Sequence, residues 1–219
     1  MPLGAVERRQ LEDVANSWYS ELGDAKQRKY WPYRSLDERI LIDMAAQGDA
    51  EAMLQLGLNK LWRATRVSGS KWPMNPEQVV ADTPRREPID AELFTSAEVD
   101  LHNAAVNGKI FALRQLVREY EFDPAPLMEF IAPGDPMPLD DAINAHIASY
   151  HLFENYVVDS PITSVDLPLS DEARMRAERF AKGKMSGVRF FRQKAGYATE
   201  KVVVPDAVLM LMANDTCQR

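Results

Sequence analysis

The side chains best suited to acid–base, nucleophilic or metal chemistry in this 219-residue sequence are three histidines, one cysteine and a pair of adjacent aspartates. His146 and His151 stand five residues apart, which on a helix points them about 140° away from each other, so a shared metal is poorly placed. No H-x-x-x-H, C-x-x-C or E-x-x-H ligand pattern occurs. Asp140 and Asp141 could be read as an acid and a base, but acidic residues in a first helical turn are also what the helix dipole favours. A carboxylate enzyme working in a helical cleft would need these aspartates to converge with His146 or His151 at perturbed pKa values. The nucleophile elbow, the phosphate loop and the dinucleotide fingerprint are all missing. No catalytic residue, cofactor or metal is expected, and Cys217, the one cysteine, cannot form an internal disulfide.

The elements that carry these residues follow from a repeat. At an offset of sixty, Ser35 pairs with Thr95, Glu38 with Glu98, Leu41 with Leu101, Ala45 with Ala105, Gly48 with Gly108, Ala52 with Ala112, Gln55 with Gln115 and Leu56 with Leu116. Ser35 and Thr95 are each followed three residues later by glutamate, the pattern of a capping box that satisfies orphan amides. Gly48 and Gly108 sit where a first helix must end and the chain reverse. The alanines four residues on admit a close second helix, and the leucines one turn further fill the space between. The pattern predicts antiparallel pairs at about 36–47 with 49–65 and at about 96–107 with 109–122, an all-α fold.

With its A-x-x-G turns (Ala45 to Gly48, Ala105 to Gly108), alanine at plus four and leucine at plus eight, the unit resembles the Sel-one-like branch of the tetratricopeptide-type repeats. The first copy ends in the Leu56-Gly57 pair that family favours; the second departs there, with Val117 after Leu116. The resemblance covers roughly 35–123. It implies a right-handed stack of antiparallel hairpins, a short α-solenoid, and adaptor or scaffold roles. Proteins of this kind bind other proteins in signalling, envelope assembly, and secretion or toxin neutralisation.

Along the chain, 1–219 reads as a single helical-repeat domain. An amphipathic helix with Leu11, Ala15, Trp18, Tyr19 and Leu22 on one face precedes repeat 1 (35–66). The connector KQRKYWPYR interleaves cations with aromatics, which could grip an anionic ligand or simply pack Tyr30, Trp31 and Tyr33 onto the repeat. A proline-rich insertion (67–94) separates repeat 1 from repeat 2 (95–123), too long for a plain hairpin connection. Next come LMEFIA and a turn, then a long helix from Leu139 to about Val158 with a broad apolar face. A further helix, capped by Ser170, is expected to break near Gly183 and Gly187. The span 124–195 is an eroded third hairpin or, preferably, a cap on the array; 196–219 is a tail.

Apolar content of 46 % and charged content of 27 % are ordinary for a globular chain. A net charge of −7 with pI near 5.1 disfavours nucleic acid and anionic membranes and favours a partner with a basic face. No run is long and apolar enough to span a bilayer. The opening stretch holds no apolar run of signal-peptide length. The cytoplasm is thus the default compartment, or the periplasm if a leader was removed; oligomeric state is left open.

What remains is surface. In stacked hairpins the first helices line a groove, which nominates Arg39 and Asp43 in copy one and Val99, Asn103 and neighbouring His102 in copy two. Trp72, beside Pro73 in the insertion, is the kind of aromatic that carries binding energy. The expectation is a non-enzymatic protein-binding scaffold or adaptor, one version of which neutralises a partner protein as an immunity protein does. The alternatives are the carboxylate/histidine enzyme and a self-associating envelope assembly component.

Overall fold

The computed structural model describes residues 4–24, 33–65, 89–122, 134, 136–162, 167–198 and 200–216. Among these residues the chain is all-helical. In order come α1 (Ala5–Glu21), α2 (Glu38–Ala46), α3 (Ala50–Thr65), α4 (Ala91–Val106), a 3-10 turn (Ile110–Leu113), α5 (Arg114–Phe122), α6 (Leu139–Val157), α7 (Asp171–Lys194) and α8 (Asp206–Thr216). Trp72 with the 67–88 part of the insertion, LMEFIA, Tyr30-Trp31 and Cys217 lie outside the described residues.

The two turn glycines do what their position requires. Gly48 has φ +93° and Gly108 φ +107°. In both turns the amide after the glycine reaches back to the carbonyl five residues earlier, Asp49 N to Met44 O at 3.1 Å and Lys109 N to Ala104 O at 2.9 Å. The sixty-residue offset also maps buried positions onto buried positions: Leu41 and Leu101 are fully enclosed, as are Ala52 and Ala112, and Leu56 and Leu116 nearly so. After the turns the two segments differ. Asp49 Oδ1 accepts from the Glu51 and Ala52 amides and caps α3, whereas Lys109 offers no acceptor, and the second copy enters its helix through the 3-10 turn.

The capping boxes are not formed at Ser35 and Thr95. Asp37 is the N-cap of α2, accepting from the Arg39 amide at 2.9 Å, and Ser35 lies in the preceding turn. Asp90 caps α4 through the Leu93 amide at 3.0 Å, so Thr95 sits inside the helix with its hydroxyl donated to Ala91 O. In each copy an aspartate nearby offers the stronger acceptor, and the helix starts there.

Packing follows small residues. A Cβ on Gly57 would lie 2.7 Å from Leu101 Cγ, so glycine there is what lets α3 and α4 touch. Helix α3 lies between α2 and α4; α6 packs along α7, α5 against α6, and α7 against α4. The main core runs through α3, α4, α5, α6 and α7, with Phe94, Leu101, Leu116, Tyr150 and Phe153 enclosed. Ser170 caps α7 as expected. The helix then continues unbroken through Gly183 and Gly187, because Ala173, Ala177, Ala181 and Val188 bury one continuous stripe.

The segment expected to be a tail carries a helix among its described residues, 196–198 and 200–216. Helix α8 packs on α1 and shares with it a second core of Ala15, Ile110, Phe111, Val158, Val204 and Val208. An isolated parallel bridge between Val158 and Val202 ties its approach to the end of α6.

Candidate functional site

Of the residues nominated from sequence, α4 places three together. Val99 is 54 % exposed, Asn103 is exposed beside it, and His102 is half-buried one turn from Glu98. Arg39 and Asp43 are exposed on α2, and no hydrogen bond or ion pair links them to the α4 set. Asp141 accepts a 2.7 Å hydrogen bond from Ser170 Oγ at the start of α6, about 8 Å of helical rise from His146. His146 turns instead to other partners.

Those partners come from three helices. Helix α4 contributes Glu98 and His102, α6 contributes His146 and Tyr150, and α7 contributes Phe180 and Lys184. Lys184 Nζ lies 4.7 Å from the centroid of the buried Tyr150 ring and 5.8 Å from that of Phe180. The His146 ring meets Tyr150 edge-on at 5.2 Å and Phe180 at 6.4 Å. Phe180 itself is 42 % exposed, so the cluster opens to solvent along α7.

The electrostatics are those of charge held short of water. Burial lowers the Lys184 pKa, and the nearby Glu98 charge only partly offsets this. Burial raises Glu98, with Lys184 opposing. His102 is lowered by burial and by the Lys184 charge, against the hydrogen bond its ring gives to the Glu98 backbone. His146 is pushed down to about 3 by burial first and Lys184 second. Both imidazoles therefore favour the neutral form near pH 7, and the cluster presents one aromatic-lidded cation with a carboxylate beside it. Perturbed groups converging from separate helices mark a functional-site candidate.

A second ionic cluster serves as contrast. Arg114, at the start of α5, donates from Nε and Nη2 to the two carboxylate oxygens of Glu154 at 2.7 Å each, and from Nη1 to Asp24 at 2.6 Å. Its guanidinium stacks over Phe111 at 4.2 Å and Tyr19 at 4.9 Å. Burial alone would lower its pKa, but the two carboxylates together outweigh burial and raise it above the ordinary value. This fork joins the end of α1 to α5 and α6, a structural staple with its donors engaged.

Among the described residues no three histidine, cysteine or acidic side chains could hold a metal ion, and no helix is long and apolar enough to cross a membrane. A cavity of about 20 Å³ between Ile110, Val157, Val188 and Arg192 has room for little more than a water. Sequence reasoning named His102 and weighed His146 but missed Glu98 and Lys184 as their partners. The available signal was the α4 face, where Glu98 stands one turn before His102.

Comparison of the chain with protein-family models, with curated proteins and with solved structures returned no significant match.

Proposed function

We propose that the protein is a helical-repeat binding scaffold, in which α2–α3 and α4–α5 are two diverged copies of one antiparallel hairpin in a short right-handed solenoid and α6–α7 cap the array. What supports the repeat is the sixty-residue register, which carries turn glycine onto turn glycine and buried leucine onto buried leucine. The observation that carries the binding role is the face shared by α4 and α7. Exposed Phe180 lies 5.8 Å from a lysine kept from full hydration, and exposed Val99 stands next in α4 to Glu98, whose charge acts on that lysine; the surface offers apolar contact area and one costly charge that a partner could complement. Neutralising a partner protein is the concrete version we favour.

The test is affinity capture of a partner by the full chain in its native cell, followed by titration of that partner against variants. Val99→Glu and Lys184→Met should each weaken the complex about tenfold or more, with circular dichroism unchanged. Affinity within about twofold of wild type in both variants would remove this face as the binding site. The competing reading, an enzyme, would now rest on Glu98, His102, His146 and Lys184, the four perturbed groups that do converge, and not on Asp140 and Asp141.

A further inference from the structure

The net charge of −7 conceals a segregation. Helix α7 holds eight of the chain's 26 lysines and arginines but three of its 33 acids, so it carries +5 while the remainder carries −12. Those three acids, Asp171, Glu172 and Glu178, stand in its first half, and from Arg179 to Lys194 there are six cations and no acid. Cations in a last turn are expected from the helix dipole, but that effect fades within a turn and does not account for Arg179, Lys182 or Lys184. Among the described residues no carboxylate pairs with Arg179, Arg189 or Lys194, and Lys182 meets Glu178 only at an exposed 3.6 Å. Arg192, by contrast, is committed to the Val106 and Ala198 carbonyls.

The same stretch exposes large apolar rings. Phe190 is 60 % and Phe191 54 % exposed, their centroids 5.4 Å apart, with Phe180 about three turns before them. Buried Ala173, Ala177, Ala181 and Val188 hold the helix against the core; Arg179, Lys182, Arg189 and Phe190 turn away from that stripe, while Phe180 and Phe191 lie along its edge.

Resting on the binding reading above, we infer that the Arg179–Lys194 face of α7 is the docking surface for an acidic amphipathic segment of a partner protein, apolar along one side and rich in Asp or Glu along the other. Charge complementarity selects this occupant. A bilayer would want a broader apolar stripe, and the outward side of α7 interrupts Met175 and Phe190 with Glu172, Arg179, Lys182, Ser186 and Gln193. A nucleic acid would meet the −12 of the remaining chain, whereas a short acidic segment can keep its charges within a Debye length, about 8 Å, of α7.

The experiment uses the full chain and two labelled model helices of about 18 residues, five turns, identical in their leucine and tryptophan positions. One carries glutamate on its polar side and the other lysine. Whole-protein charge favours the lysine peptide; the inference requires the opposite. The glutamate peptide should bind about tenfold tighter in a fluorescence anisotropy titration. The triple variant Arg179→Glu, Lys182→Glu, Arg189→Glu should reverse that preference, and Phe190→Ala with Phe191→Ala should weaken the glutamate peptide about fivefold, far-ultraviolet dichroism confirming the fold in each. Equal binding, a preference for the lysine peptide, no binding of either, or no response to the triple variant overturns the inference. So does tighter binding to single-stranded DNA or to phosphatidylglycerol vesicles. Should the captured partner still depend on Val99 and Lys184 while the glutamate peptide ignores α7, the scaffold reading stands and only this surface fails.

Discussion

Arg114 and Lys184 are built from the same ingredients, a cation sunk among helices with carboxylates nearby and aromatic faces against it, and they end in opposite states. The guanidinium spends a rigid fork on Glu154 and a third donor on Asp24, and its charge is favoured. The ammonium has Tyr150 and Phe180 beneath it and Glu98 acting through space, and its charge is disfavoured. Arginine's planar donors can be matched in advance by a fixed partner, whereas lysine is a point charge that leaves directions open. One site is finished by the fold, and the other is the one we propose a partner completes.

The largest effect should therefore come from unpairing the finished site. Glu154→Ala strands a buried guanidinium and should cost about 3–5 kcal/mol, read from the urea midpoint at pH 7. A loss under about 1 kcal/mol would mean that Asp24 alone satisfies Arg114 and that the two clusters differ less than their geometry says.

Acid should act on the open site next. His146 stays neutral in the fold down to about pH 3, while the unfolded chain takes up that proton near pH 6.5, so the unfolded state binds more protons in between. Stability contributed by His146 is full above about pH 6.5 and declines as pH falls toward 3. Glu98, raised by burial, works with the opposite sign. Comparing wild type with His146→Leu isolates the first effect: from pH 7 to 4.5 wild type should lose up to about 2 kcal/mol more than the variant. Equal losses would place His146 in water.

Smallest of all should be the stability change in Lys184→Met, within about 1 kcal/mol and of either sign, since a desolvated cation is replaced by an apolar chain of similar length. That near-silence, set beside a tenfold loss of partner affinity, would separate the two clusters most sharply.

What the sequence revealed was local. Gly48 and Gly108, the alanines that follow them, the apolar face of α6 and the Ser170 cap each depend on residues within a turn or two. Helix starts were misplaced because Ser35 and Thr95 satisfy the capping pattern while Asp37 and Asp90 supply the acceptors actually used. Pro205-Asp206, inside the segment expected to be a tail, marks a helix start, with the Val208 amide bonded to Pro205 O. Neither ionic cluster had a local signature. Arg114 lies 40 residues from Glu154 and 90 from Asp24, and His102, His146 and Lys184 meet only when α4, α6 and α7 pack.

The contact of α1 with α8 has a temporal side. Ala15 and Val208 share one core across 193 positions of chain, so on a ribosome moving at 5–20 residues per second the first helix waits roughly ten to forty seconds for its partner. Phe111 arrives sooner and can shelter Trp18 and Tyr19, whose rings it meets at 5.4 and 5.5 Å. Until α8 emerges, the rest of that apolar face is exposed to chaperones and to neighbouring nascent chains, and α1, made long before α8, waits for its cover.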